Sequence, residues 1–277
     1  MDITEIIKEA FVFPSQDLGK LAIYIVLTIV IAGLATGSVL SVIYGALDSG
    51  AYAVVGVILF IIALLIGFIN SGYQISIIKS GIDGSEAPEF VWKKNLIEGF
   101  YNLIINIVYF IIPAIITAIV GFATNVHGNF QTALQEAVTS SINATITTNA
   151  TAPAVSTVSN TVMNSLFSSI AITAAVGIIL FLIFAFIQTM AQARLANTGS
   201  LGAALHIIEA FKDIGRVGYG KVIAVIILVA IITIIINAII GFIASYVPAL
   251  GIVSIIVTPY LIFFAYRATG LMYADIS

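Results

Sequence analysis

Six long runs of apolar residues, each without a charged side chain, constrain this chain more than any other feature. They cover residues 21–44, 51–69, 103–122, 169–188, 222–243 and 247–266. Each run supplies about the 20 residues that a helix needs to cross a hydrocarbon core roughly 30 Å thick. The runs do not alternate between apolar and polar residues, which favours helices over a membrane β-barrel. The sequence therefore predicts an all-α, polytopic membrane protein with about six transmembrane helices.

Composition excludes several other classes of protein. Hydrophobic residues make up 61% of the chain and charged residues 8%, whereas soluble domains carry about 25% charged residues. The net charge of −3 gives no reason to expect a nucleic-acid partner. The absence of cysteine removes disulfides, iron–sulfur clusters and thiolate metal sites. We expect neither a cofactor nor a metal, because the two histidines, His127 and His206, are predicted on opposite sides of the membrane.

The positions of the basic residues predict the orientation of the spans. Cytoplasmic loops accumulate Lys and Arg, and short loops near the span ends count most. All ten basic residues lie in segments on one predicted side, namely Lys8, Lys20, Lys79, Lys93, Lys94, Arg194, Lys212, Arg216, Lys221 and Arg267. The opposite loops, at residues 45–50, 123–168 and 245–248, contain none. The pattern predicts a protein of the cell membrane with both termini in the cytoplasm.

A five-residue motif occurs three times, each time before an odd-numbered span. Its copies are residues 7–11 (IKEAF), 96–100 (LIEGF) and 207–211 (IIEAF). Each copy lies in a segment whose apolar residues recur with helical periodicity, typical of an amphipathic helix in the membrane interface. We therefore predict three parallel repeats of an interfacial helix followed by a transmembrane hairpin. The repeat units cover about residues 1–80, 81–198 and 199–277 and form a single membrane domain, with chance similarity as the alternative.

The motif glutamates, Glu9, Glu98 and Glu209, are the most regularly placed charges in the chain. A glutamate two residues before a phenylalanine lies on nearly the opposite face of a helix, so Glu faces water or protein while Phe faces hydrocarbon. One interpretation is an acidic surface that binds a protein partner at the cytoplasmic face. The alternative is a solvated helix face that pairs with Lys8, Lys94 or Lys212.

Several segments, one of which overlaps the second motif copy, resemble a known family. They are Gly72-Tyr73, Ile77-Ile78-Lys79-Ser80-Gly81, Ala87-Pro88-Glu89-Phe90, Glu98-Gly99-Phe100, Tyr109-Phe110-Ile111-Ile112-Pro113, Ala193-Arg194-Leu195-Ala196, Gly199-Ser200-Leu201-Gly202-Ala203-Ala204 and residues 260–273. Together they resemble an archaeal, methanogen-type family of multi-pass membrane proteins catalogued as a domain of unknown function. The resemblance covers almost the whole chain except the external loop. The resemblance implies an archaeal cytoplasmic membrane and identifies no catalytic residues.

Polar side chains inside the spans define a second candidate site. Asn106, Gln188 and Asn237 could line a path for a small uncharged or hydrophobic solute, or they could hold helices together through hydrogen bonds. No ionisable residue lies near the predicted midplane, which counts against an ion-coupled pump. Gly33 and Gly37 form a GxxxG pattern, which predicts close helix packing.

The long external loop at residues 123–168 is rich in Ser, Thr, Asn and Ala. This composition predicts a flexible or locally helical segment rather than a folded domain. Asn143 and Asn149 each begin a glycosylation sequon on the external side, although such sequons also arise by chance in a loop of this composition.

Three functions are compatible with these features. The leading hypothesis is a non-enzymatic membrane adaptor or organiser whose interfacial helices face lipid headgroups or a partner. The second is a passive transporter or channel for a small uncharged or hydrophobic solute. An intramembrane enzyme is the least favoured, because no cluster of titratable residues lies within the spans. The sequence leaves the oligomeric state open.

Overall fold

The computed structural model describes residues 1–48, 50–148 and 158–277, and within them the chain contains helices and no β-strand. The helices are α1 (Ile3–Gln16), α2 (Leu18–Leu47), α3 (Gly50–Ile82), α4 (Trp92–Ala123), α5 (Val126–Thr148), α6 (Asn160–Thr198), α7 (Leu201–Ala204), α8 (Ile207–Val217), α9 (Tyr219–Tyr246) and α10 (Ser254–Tyr273). A 3₁₀ turn, Pro248–Val253, leads into α10.

Six of these helical segments are long and apolar enough to cross a membrane, as predicted for a multi-pass membrane protein. They are α2, α3, α4, α6, α9 and the segment from the 3₁₀ turn through α10. All of them extend beyond the apolar runs, and α3 and α6 continue to Ile82 and Thr198. This extension is expected, because a helix satisfies its own backbone hydrogen bonds and need not stop where the hydrocarbon ends.

The three predicted interfacial segments differ in structure. The first is the separate helix α1, which begins with a capping box formed by Asp2 and Glu5. The third is the separate helix α8, which ends at Gly218 with a φ of 105°, a conformation that favours glycine. The second is continuous with its span in α4 because no breaker separates the two parts. The threefold repeat therefore stays a prediction.

The chain divides into two compact units. One comprises residues 1–107 and 186–277, and the other comprises residues 108–185. In the first unit, a core of aromatic and aliphatic side chains joins α1, α2, α3 and α10. Its buried members are Phe13, Leu21, Tyr24, Tyr73, Ile77 and Phe263.

Burial within this first unit is concentrated near one end of the spans. Nine of the eleven buried residues of α3 lie between Asn70 and Gly81. In α10, every buried residue lies at or beyond Pro259. We call this region the charged end, because the basic residues of the spans lie there, namely Lys20, Lys79, Lys93, Lys94, Arg194, Lys221 and Arg267.

Close backbone approach occurs at glycines near the charged end. A Cβ at Gly72 or Gly99 would overlap the backbone of Asn95 or Phe68, so α3 and α4 pack with their backbones in contact. Gly33, by contrast, has open space where its Cβ would lie. The predicted close packing at Gly33 is therefore absent within the part of the chain that the structure describes, and packing between chains stays a prediction.

The second unit contains the segment that the sequence predicts as an external loop. The predicted loop at 123–168 includes the 23-residue helix α5, and α6 begins within it at Asn160. The Glu136 carboxylate accepts hydrogen bonds from the backbone N–H and hydroxyl of Ser159, at 2.8 and 3.2 Å. Of the two predicted alternatives for this segment, flexible or locally helical, residues 126–148 adopt the helical one, and Glu136 links this helix to the residue before α6.

Candidate functional site at the charged end

Ion pairs between distant parts of the chain join the elements of the charged end. Lys20 Nζ lies 3.0 Å from a Glu89 oxygen, and Lys221 pairs with Asp275. The N-terminal ammonium lies 3.3 Å from Asp275. The first pair joins the start of α2 to the segment before α4, and the other two join residues at both ends of the sequence to the start of α9.

Glu9 pairs with Arg267, not with the neighbouring Lys8. Its Oε1 accepts a hydrogen bond from Arg267 Nη2 at 2.7 Å. Arg267 is 4% exposed, and it also donates to the Ser80 hydroxyl and lies 4.5 Å from the centre of the Phe13 ring. A guanidinium this deeply buried needs such partners, because an unpaired buried charge costs several kcal/mol. Glu9 therefore holds α1 against α10.

Glu98 lies in the α3–α4 contact. Its side chain is 13% exposed, accepts a hydrogen bond from Ser76 at 3.3 Å and lies 3.6 Å from Lys94 Nζ. The pairing with Lys94 has the i,i+4 spacing of a helix surface. This carboxylate faces a neighbouring helix more than it faces solvent.

Glu209 is the motif acid whose ion-pair partners are both exposed. It pairs with Lys212 at 2.7 Å and with Arg216 at 3.2 Å, and both cations are more than half exposed. The hydrogen bond from Lys212 lowers the pKa of the Glu209 carboxyl, and Arg216 lowers it further. The acid therefore stays ionised as part of a mixed-charge surface on α8.

The three motif copies share one pattern of burial. The small residue after each glutamate, Ala10, Gly99 or Ala210, is buried. The phenylalanine that follows is exposed to 38% at Phe11, 48% at Phe100 and 46% at Phe211. Each copy thus packs its small residue against the protein and leaves its phenylalanine partly exposed, although the Phe11 ring also lies 5.7 Å from the Tyr260 ring and 5.5 Å from the Phe264 ring. The interfacial position of these segments stays a prediction.

Asp213 is a buried acid that the sequence pattern did not single out. It is 1% exposed and accepts hydrogen bonds from Arg194, Arg216 and the Tyr273 hydroxyl at 2.7, 2.7 and 3.0 Å. These bonds fasten α8 to α6 and α10. Its spacing of four residues from Glu209 was a weak signal, because it places both acids on one face of the helix.

The polar residues of the predicted solute path are only partly brought together. Gln188 donates a hydrogen bond to Asn106, and one turn away Gln192 donates to Asn102 at 2.9 Å. Asn237 is exposed and donates to the Thr233 carbonyl of its own helix at 2.8 Å. The first two amides therefore link α4 to α6, whereas Asn237 takes no part in this link.

The other predicted sites have no comparable geometry. Asn143 lies in α5, and Asn149 lies outside the described residues. Within ranges 1–48, 50–148 and 158–277, no group of three or more His, Cys, Asp or Glu side chains is arranged to hold a metal ion.

Comparison with known proteins places the chain in a family. A family model described as "Protein of unknown function (DUF4013)" matches residues 55–245, well over half of the chain. The chain belongs to this family. The matched part of this family member includes the second and third motif copies and the acids Glu98, Glu209 and Asp213. No curated protein and no solved structure matches the chain.

Proposed function

We propose that this protein is a non-enzymatic adaptor or organiser whose charged end binds a protein partner at the cytoplasmic face of the membrane. The absence of Lys and Arg from the opposite loops supports cytoplasmic termini. The resemblance described above supports an archaeal cell membrane as its location. The burial shared by the three motif copies supports a threefold repeat.

The observation that carries this proposal is the fixed position of α8. Two buried hydrogen-bonded contacts of Asp213, with Arg194 and Tyr273, hold this helix against α6 and α10. On the same stripe of the helix, Glu209, Lys212 and Arg216 lie beside Asp213, and their side chains are 34%, 55% and 52% exposed. Charged side chains on a helix that is already held in place recognise a partner with a smaller ordering cost than charges on an unstructured segment.

The structure refines which of the motif acids can contact a partner. Glu98 is too enclosed by α3 for a direct contact, since its side chain is 13% exposed. Glu9 is about as exposed as Glu209, at 36% against 34%, but its partner Arg267 is buried, whereas both partners of Glu209 are more than half exposed. We therefore assign the partner surface to the exposed charges of α8 (Glu209, Lys212 and Arg216).

A cavity favours a second candidate function, passive passage of a small uncharged or hydrophobic solute. It has a volume of about 440 Å³ and lies between α6, α9 and α10. Aliphatic side chains form most of its wall, and Gln192, Thr233 and Tyr266 add polar groups. The predicted path through Asn106, Gln188 and Asn237 is different, and the mutual hydrogen bond of the first two amides makes them poor ligands for a solute.

The decisive experiment is recovery of partners from native membranes in mild detergent, identified by mass spectrometry. The test variant carries Glu209→Gln, Lys212→Gln and Arg216→Gln together. The matched control carries Lys79→Gln and Asp83→Asn, which removes another exposed ion pair at the charged end, with a separation of 3.7 Å. We expect a stoichiometric protein partner to be lost from the test variant and retained by the control.

Two results would contradict the proposal that the exposed charges of α8 bind a protein partner. Equal partner recovery by wild type and the α8 variant would remove α8 as the surface. Recovery of a small molecule without any stoichiometric protein would favour transport, and solute flux into proteoliposomes would then be measured with a cavity-filling Ala230→Phe variant. An intact melting transition in detergent would show that each variant is folded.

A further inference from the structure

A groove between α1 and α9 is separate from the partner surface on α8. Its volume is about 540 Å³. Its walls are formed by Ile7 and Phe11 of α1 and by Leu228, Ile232 and Ile236 of α9. The α9 residues recur every four positions along a helix that is apolar enough to span the membrane, so this wall runs along the direction of the hydrocarbon chains.

Two polar side chains of α1, Thr4 and Lys8, also line this groove. They are four residues apart and therefore lie on the same helix face. Both are exposed. Within the part of the chain that the structure describes, neither side chain has an ion pair or a side-chain hydrogen bond. An ammonium and a hydroxyl thus stand together at an otherwise apolar groove.

The acids nearest to Lys8 in sequence are bound to other groups. Glu5 accepts the Asp2 backbone N–H at 3.2 Å in the capping box. Glu9 pairs with the buried Arg267 at 2.7 Å. On the facing helix, Lys221 pairs with Asp275. No carboxylate of α1 or α9 therefore lies within ion-pair distance of the Lys8 ammonium.

We infer that the α1–α9 groove is a binding site for an anionic lipid. The hydrocarbon chain lies along Leu228, Ile232 and Ile236, and the phosphate accepts hydrogen bonds from Lys8 and Thr4. The occupant is a lipid because the groove combines a wall parallel to a membrane span with a cation at the level of an interfacial helix. The site does not depend on the proposed adaptor function, so failure of one leaves the other intact.

Native mass spectrometry of the full chain, titrated with phosphatidylglycerol or phosphatidylcholine in detergent, tests this site. Wild type is expected to retain phosphatidylglycerol in preference to phosphatidylcholine. Lys8→Gln is expected to weaken phosphatidylglycerol binding about fivefold, because a lysine near an anionic headgroup contributes about 1 kcal/mol. The control Lys93→Gln, an exposed lysine on α4, is expected to leave it unchanged.

A second pair of variants tests the hydrocarbon part of the site. Ile232→Trp fills the groove and is expected to displace the lipid, whereas Ile235→Trp changes an exposed α9 residue outside the groove and is expected to retain it. Lipid retention by Ile232→Trp, or equal binding by wild type and Lys8→Gln, would overturn the inference. Displacement of the lipid by millimolar inorganic phosphate would also overturn the inference, since the hydrocarbon chain of the lipid would then contribute nothing to binding.

Discussion

The two parts of α3 belong to the same helix but have different surroundings. Residues 50–69 include two buried positions, Gly56 and Ala63, whereas residues 70–82 include nine. The first part is suited to lipid, because its exposed side chains are aliphatic or aromatic. The second contacts α4 at Gly72 and α10 at Gly81, and it adds hydrogen bonds from Tyr73 and Ser76. Apolarity therefore places a helix in the membrane, while small and polar residues determine what it packs against.

The largest effect is expected at the buried cation of the charged end. Arg267→Gln removes the pairing with Glu9 and the contact with the Phe13 ring. We expect the free energy of unfolding to fall by about 2–3 kcal/mol, below the range for fully buried pairs because Glu9 is partly exposed.

Thermal unfolding in detergent measures this loss. Arg216→Gln is the control, because its side chain is 52% exposed and its removal leaves Asp213 paired with Arg194. Equal melting temperatures for the two variants would contradict the view that the charged end is held by buried pairs.

Close backbone contact gives the next largest effect. Gly99→Ala places a methyl group against the Phe68 carbonyl, and overpacking of this kind costs about 1–3 kcal/mol. Gly33→Ala meets open space and should be neutral or slightly stabilising, because alanine is the better helix former. Melting curves of the two variants side by side distinguish them. A destabilised Gly33→Ala would restore the GxxxG pattern as a packing site.

The smallest effect is expected for the amides. Asn102→Leu removes the hydrogen bonds with Ser71 and Gln192, and such bonds inside membranes contribute about 1 kcal/mol. Asn237→Leu should have no effect on stability, because this exposed amide bonds only to its own helix. Denaturation in mixed detergent would measure both changes. A larger loss of stability for Asn237→Leu than for Asn102→Leu would show that this part of α9 packs against another helix.

The spans were predictable from sequence because a hydrocarbon solvent leaves the backbone few alternatives to a helix. The same pattern did not predict the ring contacts of Phe11 with Tyr260 and Phe264 on α10. The continuity of α4 was harder to predict, because amphipathic and apolar periods join at residues 96–103 without a breaker. In α5, the composition allowed a locally helical segment but did not predict the link between Glu136 and Ser159.

The partners of the charged groups could not be read from the sequence. Lys8 is adjacent to Glu9, so the simplest local prediction pairs them or leaves both in water. The pairing with Arg267 depends on how α1 packs against α10, which is a tertiary property. Asp213 was missed for the same reason, since its partners Arg194 and Tyr273 lie on two other helices.

The contact between Glu9 and Arg267 also affects how the protein is made. These residues are 258 positions apart, so the ribosome adds that many residues after Glu9 before the two can meet. At about 5–20 residues per second this interval is roughly 10–50 s. During that time α1 lacks its partner α10, and its amphipathic face gives it a place at the membrane surface. Helix α1 is thus synthesised well before the arginine that holds it in its final position.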